Sequence, residues 1–312
     1  MRSRRTIRKS QFPGSSPVAA NIRDKPDKIA PVTPLTPPIR LLAIDIDGTL
    51  LNSKFQVSDG NLSAIRRAHE LGVEVLLTTG RRHGFALPVA EKLGIPLWVV
   101  SSNGAITRAI TGELFHRDLM PQNVARSLLE HMQAFRRQAV LTFDLETRGA
   151  IVIESAHSLN ASVSRWLEVN APYIRYMEPL EACLTDDPVQ AMFCGPVAEM
   201  NRAEECLAAF DRRDEITVLK TQYEARDLSI LDVLNQHCSK GHALRRWAGH
   251  RGISRQQVMA IGDNYNDVEM LEFAGFPFIM ENACAELKQN GWPVTASNDA
   301  DGIAVALKQV GI

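Results

Sequence analysis

Two carboxylates spaced two residues apart are the first feature of this sequence that could perform chemistry. Asp45 and Asp47 follow the apolar residues 41–44, and Gly48 comes directly after them. Because alternate residues of an extended strand share a face, both carboxylates would leave such a strand on the same side. Gly48 permits the turn that follows. A carboxylate that a metal ion aligns on a phosphorus centre can act as a nucleophile, and the second carboxylate can serve as general acid and base.

A hydroxyl and a glycine come at the corresponding place after the next apolar run. Thr79 and Gly80 follow residues 73–77. The hydroxyl and the unhindered backbone N–H groups of such a segment suit an anionic oxygen. Open α/β sheets bind ligands at the carboxyl ends of their strands. We therefore expect Thr79 to lie near the two carboxylates.

A third cluster supplies further oxygen ligands. Asp263, Asn266 and Asp267 follow the apolar residues 258–261. Carboxylates that converge at one sheet edge repel each other unless a cation lies among them. Oxygen ligands without His or Cys select a hard cation, and Mg²⁺ fits best because it takes one or two carboxylates together with waters and a substrate phosphate. One cation cannot neutralise both the carboxylates and a phosphate, so a lysine is also expected, and Lys240 supplies it at the start of a predicted helix.

The elements that must position these residues alternate between strand and helix. Ser58 can cap the first helix and Gly72 can end it. Alternation at this rhythm predicts an α/β fold with a Rossmann-like core, in which helices cover both faces of a parallel sheet. The predicted strands of this core are residues 41–44, 73–77, 97–100, 258–261 and 276–280.

A different pattern occupies the middle of the chain. Thr111 and Gly112 lie between residues 106–110 and residues 113–117, which indicates a hairpin. Paired strands beside helices then predict an α+β arrangement over an antiparallel sheet. The predicted strands are residues 140–145, 150–154, 189–194 and 216–221, and the predicted helices are residues 158–169 and 197–210.

These two patterns predict a discontinuous catalytic core with a second domain inserted into it. The core is expected over residues 39–123 and 228–312. Residues 124–227 are expected to form an α+β cap that determines substrate specificity. The hinges of this cap are expected near residues 119–121 and 228–234.

Residues 1–38 differ in composition from the rest of the chain. They hold seven of the sixteen prolines, and residues 1–40 carry nine basic against two acidic side chains. Such a stretch buries too little apolar surface to offset the entropy of ordering it, which predicts a disordered extension. A targeting segment or a misplaced start codon would also account for it. The absence of an apolar h-region excludes a secretory signal.

The composition of the remaining chain restricts partners and compartment. It holds 26 basic and 34 acidic side chains, a balance that disfavours nucleic-acid binding, which needs clustered Lys and Arg. No apolar run approaches the roughly 18 residues of a membrane span, so no membrane partner is expected. The five cysteines are scattered singly, which favours free thiols in a reducing compartment, here the cytoplasm. No pattern indicates an oligomeric state.

The polar clusters, in their order along the chain, resemble the motifs of the haloacid dehalogenase-like superfamily. The matching stretches are Asp-Ile-Asp-Gly-Thr at 45–49, Thr-Gly-Arg at 79–81, Ser-Lys-Gly at 239–241 and Gly-Asp-Asn-Tyr-Asn-Asp at 262–267. Residues 282–283 and 294–303 are similar to the closing signature of its Cof-type phosphatases. The resemblance covers the two predicted core segments, and the insert between them is similar in size to the cap of that branch.

The resemblance implies a Mg²⁺-dependent phosphatase that passes through an aspartyl-phosphate. It implies that Asp45 is the nucleophile and a metal ligand. Asp47 would be the general acid and base and would give the metal its backbone carbonyl. Asp263 would be the third protein ligand of the metal, with Asp267 supporting it. The remaining matches are to a phosphate cradle, which would consist of Thr79, Gly80, Lys240 and Asn266.

We therefore expect a phosphoric monoester hydrolase acting on small phosphorylated metabolites such as sugar phosphates. A phosphomutase would use the same parts. A receiver-like switch that only holds an aspartyl-phosphate is a further alternative, but it has no alkoxide for Asp47 to protonate and lacks an insert of this size. Arg81, Arg82 and His83 could form an anion-binding patch, but a solvated loop is the favoured interpretation. Asn103 and Gly104 fit either a plain turn or a feature of the same family.

Overall fold

The structure is a computed structural model that describes residues 39–155 and 161–312. The predicted tail, residues 1–38, and the predicted start of a helix near residue 158 lie outside the described residues. The strands are β1 (Leu41–Asp45), β2 (Glu74–Thr78), β3 (Trp98–Ser101), β4 (Ile106–Ala109), β5 (Leu114–Arg117), β6 (Ala139–Thr142), β7 (Ile151–Ile153), β8 (Ile174–Tyr176), β9 (Gln190–Gly195), β10 (Ile216–Tyr223), β11 (Leu228–Asn235), β12 (Val258–Gly262), β13 (Phe276–Met280) and β14 (Val294–Thr295). The helices are α1 (Asp59–Glu70), α2 (His83–Lys92), α3 (Gln122–His131), α4 (Ala161–Asn170), α5 (Val197–Ala208), α6 (Lys240–His250), α7 (Val268–Phe273), α8 (Ala285–Lys288) and α9 (Gly302–Gln309). Within the described ranges, no helix combines the length and the apolar character needed to cross a bilayer.

Eight of the described strands form a first sheet, in the order β14-β13-β12-β1-β2-β3-β4-β5. Neighbouring strands are parallel from β14 to β3. At the other edge, β4 and β5 continue the sheet as an antiparallel hairpin. The α/β fold with a parallel-sheet core that the sequence predicts is therefore confirmed.

The burial of β1 explains its uninterrupted apolar run. Leu42 and Ile44 belong to a hydrophobic core shared with α1, α2 and α9. Leu41 and Ala43 belong to a second core on the opposite face, shared with α6 and α7. A strand that is covered on both faces carries apolar side chains at every position. This strand therefore holds Asp45, at its carboxyl end, on the most enclosed part of the sheet.

Local signals determine the ends of α1 as predicted. The Ser58 side chain accepts a hydrogen bond from the backbone N–H of Asn61 at 3.3 Å. Gly72 follows the helix with a φ of +86°, a conformation that glycine adopts without steric cost. The helix therefore begins after Ser58 and ends before Gly72.

The chain between α3 and β11 forms a second sheet, in the order β10-β11-β9-β6-β7-β8. Its strands pair antiparallel, as predicted, except that β7 and β8 are parallel. Leu128 of α3 and Leu207 of α5 pack with Phe193 of β9 and Leu231 of β11 in the core of this layer. The second sheet is thus inserted between the hairpin β4–β5 and α6.

The second sheet extends beyond the boundaries that the sequence predicts for the insert. Met120 already packs into its core. Residues 228–235, which the sequence assigns to the catalytic core, form β11 and pair with β10 on one side and β9 on the other. Hydrogen bonds along both edges hold this strand, and a hinge near residues 228–234 stays a prediction. The end of the second sheet lies at Asn235.

Shortening one buried side chain of β1 should measure how strongly the stability of the first sheet depends on the packing of this central strand. Ile44 is fully buried, so Ile44→Ala should lower the free energy of unfolding by about 2–5 kcal/mol. Leu114→Ala is the control, because Leu114 lies on the edge strand β5 and is 46% exposed; its loss should be about 0.5 kcal/mol or less. Urea denaturation followed by circular dichroism measures both. Equal losses would contradict the central role of β1.

Candidate active site

The three polar clusters meet at one edge of the first sheet. Strands β2, β1 and β12 are parallel neighbours, so their carboxyl ends lie side by side. Asp45 is the last residue of β1, Thr79 follows β2, and Asp263 follows β12. All three are buried. The sheet topology therefore brings together residues that are up to 218 positions apart in the sequence.

Lys240 joins two of the carboxylates. It is the first residue of α6, and it is 1% exposed. Its Nζ donates to Asp45 Oδ1 at 2.6 Å and to Asp267 Oδ1 at 2.7 Å. The Ser239 side chain caps α6 by accepting from the backbone N–H of His242. The start of α6 thus holds the buried ammonium group of Lys240 against the end of β1.

The loop after β12 is held by its own carboxylates. Asp267 Oδ2 accepts hydrogen bonds from the backbone N–H groups of Asp263 at 3.0 Å and Asn264 at 3.1 Å. Thr49 Oγ1 donates to Asp263 Oδ1 at 3.0 Å. Asp267 therefore supports both the loop and Lys240. Thr49 is not among the residues that the sequence analysis selects, although it belongs to the same motif as Asp45.

Asp45, Asp263 and Asp267 form a buried acidic cluster. One carboxylate oxygen of each lies within 4.8 Å of the others. Asp45 Oδ2 is buried and has no hydrogen-bond partner among the described residues. An unpartnered buried carboxylate oxygen beside two further carboxylates fits a hard cation. The carboxylate of Asp47 lies outside this cluster.

The cluster is electrostatically strained without a cation. Burial raises the pKa of Asp45 to about 7, and the charge of Asp267 acts in the same direction, against the attraction of Lys240. Burial, followed by the charges of Asp45 and Asp267, also raises the pKa of Asp263 well above its usual range. Burial by itself would lower the pKa of Lys240, but the two carboxylates that it contacts raise it. Lys240 is thus charged, and it contacts two of the three carboxylates of the cluster.

Gly48 is required by the close approach of two loops. Its φ is +89°, a region that side chains with a Cβ rarely adopt. A Cβ on Gly48 would lie 2.3 Å from Asp263 Oδ2. The turn after Asp47 can therefore reach the loop after β12 only with glycine at this position.

Asp47 is paired with Arg81 at the mouth of the site. Arg81 Nε donates to Asp47 Oδ2 at 2.7 Å and Arg81 Nη2 donates to Asp47 Oδ1 at 2.6 Å. This two-point contact fixes the plane of the carboxylate. Arg82 donates to the backbone carbonyl of Leu145 at 3.0 Å and lies 4.8 Å from the centre of the Tyr173 ring. The expectation that both arginines lie in a solvated loop is therefore wrong, because they contact residues that only the fold brings near.

Asn103 lies inside the site rather than in a plain surface turn. It is fully buried and has a φ of +51°. Its Oδ1 accepts from Asn266 Nδ2 at 2.9 Å, and its backbone N–H donates to the carbonyl of Thr79 at 2.9 Å. A Cβ on Gly80 would lie 3.2 Å from the Asn103 amide. Asn103 therefore contacts two of the residues predicted to hold phosphate, Thr79 and Asn266, and leaves little room for a side chain at Gly80.

An open cavity of about 480 Å³ lies beside these groups. Asp47, Asp263 and Phe55 line it from the first sheet, and Gln222 and Tyr223 line it from the second sheet. Burial, together with the charges of Asp47 and Asp263, raises the pKa of Tyr223, so its hydroxyl stays protonated. The cavity therefore presents a neutral phenol to a ligand, together with the carboxylates of Asp47, Asp263 and Glu224 and the guanidinium of Arg226.

Comparison with models of known protein families assigns the chain to one of them. A family model described as haloacid dehalogenase-like hydrolase matches residues 42–307. The chain belongs to this family. The match confirms the resemblance to the Cof-type branch, and it spans both sheets of this hydrolase.

Named relatives and solved structures agree with the assignment. The hydrolase is 31% identical to the phosphatase YwpJ of Bacillus subtilis, over 87% of this chain and 100% of that protein. It is 28% identical to the pyridoxal phosphate phosphatase YbhA of Escherichia coli, over 85% of this chain and 96% of that protein. A haloacid dehalogenase-like hydrolase from B. subtilis superposes with a TM-score of 0.73 and 28% identity, over 87% of this chain and 100% of the other. These findings support the predicted class of phosphoric monoester hydrolase.

The strained carboxylates should give the metal-free hydrolase a characteristic pH dependence. The folded protein retains the Asp45 proton to higher pH than the unfolded chain, so its stability in EDTA should fall between about pH 4 and pH 7. Asp45→Asn removes this titration, and the variant should be the more stable protein at pH 8, by a few kcal/mol at most.

Differential scanning calorimetry at pH 5 and pH 8 measures this difference. Asp211→Asn is the matched control because Asp211 is exposed, and it should reproduce the decline of the wild type. A wild type that is as stable at pH 8 as at pH 5 in EDTA would contradict the strain at Asp45.

Proposed function

We propose that this hydrolase is a Mg²⁺-dependent phosphatase that acts on small phosphorylated metabolites through an aspartyl-phosphate. The observation that carries the proposal is the buried contact of Lys240 with Asp45 and Asp267, next to Asp263. This arrangement combines an acidic cluster that fits a metal with a cation that suits a phosphate. The names of relatives support the substrate class, because they include phosphatases of pyridoxal phosphate and of HMP-PP.

Mg²⁺ would be held by Asp45 and Asp263, with the backbone carbonyl of Asp47 as a further ligand. The unpartnered Oδ2 of Asp45 supports this assignment. The ion would offset the mutual repulsion of the carboxylates and polarise the phosphoryl oxygens. Asp267 would keep the loop and Lys240 in place through its two oxygens, as its hydrogen bonds indicate.

The reaction would proceed in two displacements. Asp45 attacks phosphorus, and the bond between phosphorus and the leaving oxygen breaks while Asp47 donates a proton to that oxygen. Asp47 then takes a proton from a water molecule, which attacks phosphorus and releases phosphate and the free carboxylate of Asp45. The position of Asp47 at the edge of the cavity supports this role. Arg81 would hold its carboxylate in the required plane.

The phosphate would be bound by the residues that surround Asp45. Lys240 would balance its charge, and Thr79, Gly80 and Asn266 would provide hydrogen bonds. The burial of Thr79, Lys240 and Asn266 supports strong interactions, because hydrogen bonds to charged groups are stronger where water is excluded. A phosphomutase would use the same groups, and a receiver-like switch would have no need of Asp47 beside an open cavity.

The second sheet would act as the specificity cap, from Met120 to Asn235 rather than over residues 124–227. Gln222 and Tyr223 support this role because they line the cavity opposite Asp47. The cap would recognise the leaving group while the first sheet supplies the chemistry. The five free cysteines favour a reducing compartment, in keeping with a cytoplasmic enzyme.

Metal dependence is the first test of the proposal. The wild type should release inorganic phosphate from alkyl phosphates in Mg²⁺ or Mn²⁺ and lose this activity in EDTA. Asp263→Asn should require a higher Mg²⁺ concentration for half-maximal rate, because it replaces one anionic ligand by a neutral one. Asp45→Asn is the inactive control, and its fold is checked by circular dichroism. Full activity of the wild type in EDTA would refute the metal site.

The leaving group provides a separate test of Asp47. Asp47→Asn should lower kcat for an alkyl phosphate about 10²–10⁴-fold, the usual contribution of general acid–base catalysis. The loss should be much smaller with p-nitrophenyl phosphate, whose leaving group hardly needs a proton. Initial rates of the wild type and of Asp47→Asn on both substrates, at saturating Mg²⁺, measure the two losses. Equal losses on the two substrates would show that Asp47 is not the acid.

A further inference from the structure

Asp232 is a buried carboxylate that the proposed reaction does not use. It lies on β11 of the second sheet and is 5% exposed. Asp232 Oδ2 accepts from Asn103 Nδ2 at 2.8 Å, and Oδ1 accepts from Gln190 Nε2 at 3.0 Å. Both donors are neutral amides. Burial of a carboxylate whose hydrogen-bond donors are both neutral lowers the stability of the fold. Such a residue is therefore expected to have a function besides packing.

The hydrogen bonds of Asp232 lead into the phosphate cradle. Asn103, its partner, also accepts from Asn266 Nδ2 at 2.9 Å. The three side chains therefore form a chain of hydrogen bonds from the second sheet to the first. Asn103 is fixed at its backbone as well, through the contact of its N–H with the carbonyl of Thr79.

The direction of this chain is set at Asp232. An ionised carboxylate only accepts hydrogen bonds, so Asn103 must turn its NH₂ group towards Asp232. Asn103 Oδ1 then faces the other way and can only accept from Asn266. The Asn266 NH₂ group has two hydrogens, and one of them is used in this contact. Its second N–H is thereby given a defined direction.

We propose that Asp232 is a positioning residue for phosphate binding, which acts through Asn103 to orient the Asn266 amide so that its second N–H meets the phosphate. This inference rests on the proposed function, because it assumes that Asn266 contacts the substrate phosphate. We call the hydrogen-bonded side chains of Asp232, Asn103 and Asn266 the relay. The relay passes from the second sheet to the first beside an apolar junction, in which Leu234 of β11 packs with Ala105 and Ile106. The packing keeps Asp232 next to Asn103.

A swap of the two partners tests the direction of the relay. Asn103→Asp places a second carboxylate against Asp232, so the relay should break. In the double variant Asn103→Asp/Asp232→Asn, the new amide at position 232 can donate to the new carboxylate at position 103 and accept from Gln190. The carboxylate at position 103 keeps its other oxygen as an acceptor facing Asn266. The double variant should therefore restore the orientation of Asn266.

Binding of inorganic phosphate at pH 8 with saturating Mg²⁺, measured by isothermal titration calorimetry, is the direct readout. Burial raises the pKa of Asp232 to about 7, so the carboxylate is ionised at this pH. Asn103→Asp and Asp232→Leu should weaken phosphate binding about tenfold or more, as expected for the loss of a hydrogen bond to a charged group. The double variant should bind within about threefold of the wild type. Ser229→Ala, a buried change on the same strand, should bind like the wild type.

The outcomes separate the relay from the proposed function. A wild type that neither binds phosphate nor hydrolyses phosphate esters counts against both. A wild type that does both, with a folded double variant that binds no better than Asn103→Asp alone, overturns the relay and leaves the phosphatase intact. Unchanged phosphate binding in Asp232→Leu has the same meaning. Should Asp232→Leu fail to fold, the comparison of Asn103→Asp with the double variant decides the question by itself.

Discussion

Buried negative charge is the constraint on which the arrangement of this hydrolase depends. Asp45, Asp263 and Asp267 lie within reach of one cation, and Lys240 is the protein group that contacts two of them. Burial disfavours the ionised forms of Asp45 and Asp263, and the neighbouring negative charges add to the effect. Such a cluster costs stability when it is empty. It is suited to a metal ion and a phosphate, which bring opposite charges to the same place.

The scaffold tolerates this cluster because the elements around it leave little freedom to move apart. β1 is packed on both faces and paired on both edges, so Asp45 cannot retreat into solvent. Glycines allow the close approach of the loops. A Cβ on Gly48 would meet Asp263, and one on Gly262 would lie 2.6 Å from the Cβ of Asp267. The packing of the whole first sheet therefore stabilises the fold against the repulsion between the buried carboxylates.

The second sheet meets the first at two different kinds of contact. At the junction, Leu234 packs with residues of the first sheet, and Asn235 Nδ2 donates to Asp118 Oδ1 at 2.6 Å. Around the cavity, Gln222 exchanges two 3.3 Å hydrogen bonds with Asn264, in the loop after β12. The junction combines apolar packing with hydrogen bonds between side chains, whereas the cavity side is polar and open. This difference is consistent with a fixed attachment at one end and a recognition surface at the other.

The sequence by itself determined the alternation of strands and helices, because buried parallel strands need continuous apolar runs and helix ends carry local caps such as Ser58. It also selected Asp45 and Asp263, which follow apolar runs, and Lys240, which begins a helix, because residue type and position relative to a strand or helix are local properties. Only the tertiary structure decided which partners these groups meet. The pairing of Arg81 with Asp47, the entry of Asn103 into the site and the placement of β11 in the second sheet depend on contacts between segments far apart in the chain. Local pattern carries no information about such contacts, since strand order and the packing of layers determine them.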